Sequence, residues 1–337
     1  GVAIATGGAD ITIGGGLAAT SNSRIPAGYA SGFGTNSFYG FTGSTVAGDG
    51  YQSGVMLGTS SSSLTLQTSL RSAGANIVVR GQSTPSTNAT GYASMGIAVL
   101  ATSVANATGA PLLTGGTQIN AGAGKVLLDG VGRQTNGAVT ANAASIEFNA
   151  WGSASSNGAT YTKVISTNTS DDAIVVNAKT TNVTAGHRGL YALWGVNFTS
   201  AGGTQINSNV INDDFKAVLD VSGKLLVTSP DASFDRALNI DTDWTFNSAT
   251  AQKPTSIIIG KDAAGDGTTQ NNGDITISQS MTATGPIEIY GGNVSLGQPV
   301  KISSETANSK LMVKARGSAT VAAPAVASCV TLGNCGY

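Results

Sequence analysis

The sequence predicts an all-β chain wound as a right-handed parallel β-helix, on three observations. Short alternating apolar segments, each bounded by Gly, Asn, Asp or Ser, recur from one end to the other. Their leading apolar residues return at nearly even steps. The composition supplies a neutral, hydroxyl- and amide-rich exterior, with Gly at 46 positions and only 10% of residues charged.

The segments read "ADITIGGG", "SSLTLQT", "ANIVVRG", "GKVLLDG", "ASIEFNA", "GKLLVTS", "TSIIIGK", "GDITISQ", "GPIEIYG", "GNVSLGQ" and "SKLMVKA". Each carries the period of two that turns one set of side chains inward. Val126, Ile146, Val164 and Val183 form one evenly stepped series, and Ile257, Ile275, Val294 and Leu311 form another. These series predict successive coils of about 19 residues. A coil that short cannot bury a core alone, but stacking lets the inward Ile, Val and Leu of one rung pack on the next. Outward positions are expected to carry Thr, Ser, Asn, Gln and Lys. The competing fold, a pair of β-sandwiches, requires antiparallel pairing between sequence neighbours.

The whole chain, 1–337, is expected to form a single elongated unit with two departures and a tail. Residues 22–58 concentrate Tyr29, Phe33, Phe38, Tyr39, Phe41 and Tyr51 among glycines. They read as an insertion or cap packed by its aromatics, or else as a contact surface for a neighbouring subunit or a glycan. Residues 92–106, "YASMGIAVLATSVAN", balance between a short amphipathic helix and strand: Ala, Met and Leu favour helix, whereas Gly96, Ser and Val oppose it. In the tail, 322–337, Cys329 and Cys335 are the only cysteines. They read as a small disulfide loop, with free thiols or a bond to a neighbouring chain as the alternatives.

Several function classes are excluded at this level. A formal net charge of −1 without any Lys/Arg cluster provides no field for nucleic acid. The longest apolar neighbourhood, "MGIAVLATSVANATGAPLL", is interrupted by Ser, Thr, Asn and Pro, so no membrane span is expected. The start at Gly1, without a signal-type stretch, reads as a mature or internal fragment.

Candidate chemistry is sparse, and no catalytic residue, cofactor or metal is assigned. His187 is the sole histidine, so any triad or multi-histidine metal site would depend on it alone. Asp262, Asp266 and Asp274 cluster in "GKDAAGDGTTQNNGDIT" but lack calcium-loop spacing, which favours a polar turn. In "SDDAIVVNAKTTNVTAGHRGL", Asp171 and Asp172 precede His187 by about one predicted coil. That segment resembles the paired-Asp and Gly-His region of polygalacturonases, which are β-helical glycoside hydrolases. The resemblance implies an alternative reading in which Asp171, Asp172 and His187 cleave a glycan by paired-carboxylate chemistry. The family's Asn-x-Asp upstream and Arg-x-Lys downstream are missing, and Arg188 stands where the family has glycine.

The segments "GGADITIGGGLAAT", "NNGDITISQSMTATGPIEIYGGNVSLG" and "SKLMVKARGSATVAA" resemble the repeats of filamentous-haemagglutinin-like exoproteins, most clearly over 257–321. That resemblance implies a secreted, non-enzymatic bacterial β-helix of the adhesin type, extracellular or at the cell surface. The partners it implies are host or neighbour-cell surface glycans. Both termini are apolar and poorly shielded, so end-to-end self-association or continuation into a longer chain is also expected.

Overall fold

The computed structural model describes residues 3–14, 28–31, 54–58, 68–83, 95–102, 104–105, 111–112, 117–132, 144–151, 162–181, 188–231, 234–246, 253–260, 273–297 and 300–321. These residues form a parallel β-helix, and no helix occurs among them. Among the described residues, every strand pairing is parallel except the short antiparallel match of Val104–Ala105 with Pro111–Leu112. This pattern removes the β-sandwich alternative.

Three strand positions recur in each turn of the chain. The first face stacks Ile11–Ile13, Ile77–Gln82, Val126–Gly132, Ile174–Thr180, Thr204–Ser208, Lys224–Thr228, Ser256–Ile259, Ile287–Gly291 and Leu311–Ala315. The second face begins with Val55–Leu57, Ile97–Thr102 and Ala144–Trp151. It continues through the start of Arg188–Ser200 and of Ile211–Val221. Leu238–Ile240, Ile275–Ile277, Val294–Leu296 and Ala319–Val321 occupy that position in later coils. The third face stacks Ala3–Ala5, Ser69–Arg71, Gln118–Asn120, Thr162–Ser166, the ends of the two long strands, and Trp244–Phe246. Met281–Ala283 and Ile302–Ser304 pair in the third position of the last coils.

The inward columns explain why these sequences stack. On the first face, Ile11, Ile77, Val126, Ile174, Thr204, Leu225, Ile257, Ile287 and Leu311 lie in register, with Ile13, Val79, Leu128, Val176, Ile206, Val227, Ile259, Ile289 and Val313 beside them. Each fully buried aliphatic side chain contributes roughly 2 kcal/mol of transfer free energy, available only when rungs lie above and below it. Thr204 is the polar member of these columns, and its hydroxyl shares a 2.9 Å hydrogen bond with Ser200 Oγ. Aromatic rings fill the interior where the long strands turn a corner. Phe148 meets Phe198 edge-on at 5.8 Å, and Phe215 meets Trp244 at 5.1 Å.

Coil length departs from the expected even period. In-register first-face neighbours run Ile11, Ile77, Val126, Ile174, Thr204, Leu225, Ile257, Ile287 and Leu311. The three coils before Ile174 are therefore each longer than any that follow it. Val126, Ile146 and Val164 mark three faces of one coil, while Ile275 and Val294 are true vertical neighbours. Val183 lies outside the described residues.

Two further expectations resolve as strand. Ile97–Thr102 is a second-face strand between Val55–Leu57 and Ala144–Trp151, so the helical option for 92–106 fails there. Its β-branched Ile97 and Val99 point into the core, a tertiary preference that outweighs the local Ala and Leu content. Within the aromatic stretch 22–58, Ala30–Ser31 pairs with Gly81–Gln82 and Val55–Leu57 opens the second face.

The exterior of the first face is also less polar than expected. Val78, Leu127 and Val175 form one outward column, continued through Gln205 to Leu226 and Ile258. Parallel pairing puts like residues side by side, so β-branched and aliphatic neighbours gain contact even on the outer surface.

Candidate functional site

The polar side chains with resolved roles concentrate at the corners between faces. Asp10, Asn76 and Lys125 each immediately precede a first-face strand. The Asn76 N–H donates to Asp10 Oδ1 at 2.8 Å, and the Lys125 N–H donates to Asn76 Oδ1 at 2.9 Å. Lys125 Nζ then donates to both carboxylate oxygens of Asp172 at 2.7 Å. The second face repeats the device further along. The Asn293 N–H donates to Asp274 Oδ1 at 3.0 Å, and the Ser318 N–H donates to Asn293 Oδ1 at 2.9 Å. Asp10, Asn76, Asp274 and Asn293 each satisfy a backbone donor of the next rung where a strand begins, and Lys125 adds an ion pair to the rung after it, which together fix vertical register.

A buried version holds the corner between the first and second faces. Asn209 Oδ1 accepts from the Thr180 N–H at 2.9 Å, while its Nδ2 donates to the Thr180 carbonyl at 2.8 Å and to Asp235 Oδ2 at 2.9 Å. Three successive coils are thereby tied through one carboxamide. Burial raises the Asp235 carboxyl above its ordinary range, and the Asn209 hydrogen bond opposes that shift.

Asp171 and Asp172 lie on the turn before Ile174–Thr180. The hydrogen bond from Lys125 holds the Asp172 carboxyl below its ordinary range, assisted by one from Ser170. A carboxylate held ionised in this way is a poor proton donor at neutral pH. His187 lies outside the described residues. The coil that starts beside Asp172 closes where Ile174 meets Thr204 and the Gly203 N–H donates to the Ser170 carbonyl. That closure comes well past position 187, so the separation of the Asp pair from His187 differs from the local coil length. A Cβ at Gly203 would lie 2.2 Å from the Asp171 carbonyl oxygen, so the backbone of the next rung packs directly on that of Asp171.

Asp274 belongs to the second-face ladder, whereas Asp262 and Asp266 lie outside the described residues, as do Cys329 and Cys335. Among the described residues, no three His, Cys, Asp or Glu side chains group as a metal site would require.

Two outward clusters were not nominated from the sequence. On the second face, Glu147 and Tyr191 are in-register neighbours, and both are buried despite pointing away from the core. The Arg188 guanidinium lies 3.9 Å from the Tyr191 ring centroid, with its Nη2 3.9 Å from Asp214 Oδ2. Burial pushes the Tyr191 phenol up to about 12, with Arg188 lowering it and Glu147 and Asp214 adding to the rise. On the first face, Tyr29 Oη donates to Asp129 Oδ2 at 2.8 Å, beside Arg80 Nε at 3.5 Å. Burial and this hydrogen bond push Tyr29 to about 12 as well, and burial raises Asp129. Both clusters combine a neutral phenol with a guanidinium and carboxylate, an arrangement suited to polar contact and packing. Glu147 in "ASIEFNA" was the available sequence signal, a charge at an outward strand position flanked by core residues.

No protein-family model, curated protein or solved structure matches this chain.

Proposed function

We propose that this chain is an extracellular structural or adhesive protein of bacterial type, acting as a surface adhesin, a filament subunit or a section of a longer exoprotein. The observation that supports this reading is the destination of its polar side chains. Asp10, Asn76, Lys125, Asp172, Asn209, Asp274 and Asn293 bind one rung to another. These ties hold the rungs rigid along the axis in a chain of which only 10% of residues are charged, which suits multivalent contact with a neighbouring cell's glycans.

The test is saturable binding of the labelled chain to bacterial or host cell surfaces, competed by soluble surface glycans. Binding that glycans displace is the expected result. Absence of binding, together with turnover of polygalacturonate that Asp172→Asn abolishes, would replace this reading with the glycan-cleaving one.

A further inference from the structure

We draw no further inference here: the strongest candidate, the outward cluster of Glu147, Arg188, Tyr191 and Asp214 beside the bulge of Ile211–Val221 on the second face, is a carboxylate cluster that already holds its own guanidinium, and nothing in the structure points to a ligand for it.

Discussion

The coils between Ile11 and Ile174 are long, with rungs marked by Ile77 and Val126, whereas the shorter ones from Ile174 to Leu311 fit five rungs into a comparable stretch of chain. Both regions nevertheless keep the same three faces and the same aliphatic columns. Rung geometry is therefore set by a few inward residues and a few corner hydrogen bonds, while chain length accumulates between strands. The corner from the first to the second face displays the extremes. In the short coil, Asn209 and Val210 alone join Thr204–Ser208 to Ile211–Val221. In the long coil, residues 133–143 separate Val126–Gly132 from Ala144–Trp151. Even there the ends meet, because the Gly132 N–H donates to Ser145 Oγ at 3.2 Å.

The largest effect is expected at the tight corner. Asn209→Ala removes the hydrogen bonds to Thr180 and Asp235 and leaves the buried Thr180 N–H without its carboxamide acceptor. The loss should be about 3 kcal/mol, measured by urea unfolding. A cost below about 1 kcal/mol would mean that short coils do not rely on this brace.

The long corner is expected to behave in the opposite way. Replacing residues 133–143 with the Asn-Val dipeptide of the tight corner should preserve the fold and change stability by only about 1.5 kcal/mol, as loop-closure entropy predicts. Circular dichroism and thermal unfolding would report this, and collapse of the β signal would show that the segment sustains the rungs around it.

A smaller effect concerns the corner between the third and first faces. Lys125 lowers the folded-state pKa of Asp172, so the pair stabilises the fold above the ordinary carboxylate range and loses that contribution as pH falls through the lowered value. Since both side chains are half-exposed, Asp172→Asn should cost only about 0.5 kcal/mol near neutral pH. The difference between variant and wild type should vanish in acid. A difference that persists at low pH would assign the effect to the turn backbone instead of the ion pair.

The strands were readable in the sequence because alternation is local. "ITI" at 11–13 and 275–277, "VLL" at 126–128, "IEI" at 287–289 and "LMV" at 311–313 all lie within first- or second-face strands. Coil register was less readable, since all three faces use the same apolar alternation. Steps of nearly equal length connect neighbouring faces in one place, as from Val126 to Ile146, and neighbouring rungs in another, as from Ile275 to Val294. The continuous strands Arg188–Ser200 and Ile211–Val221 lacked glycine-bounded segments at both ends and turn the corner through a shift in register. The corner ladder was partly visible: Asp, Asn or Lys precedes the apolar run in "ADITI", "ANIVV", "GKVLL", "GDITI" and "GNVSL". Only the vertical register shows that these residues bond to one another. The Glu147, Arg188, Tyr191 and Asp214 cluster draws on three coils, so its members are dispersed in sequence.

The unequal coils also have a mechanical consequence. A pulling force on one end shears a β-helix one rung at a time, because each rung is held chiefly by the rung behind it. From the C-terminal end the short coils between Leu311 and Ile174 would come away first, and the stretch from Ile77 back to Ile11 last. At about 3.5 Å per residue that final coil alone would release roughly 230 Å of slack. The two halves would therefore respond differently to tension, the C-terminal coils yielding in short steps and the N-terminal coils letting out long tethers.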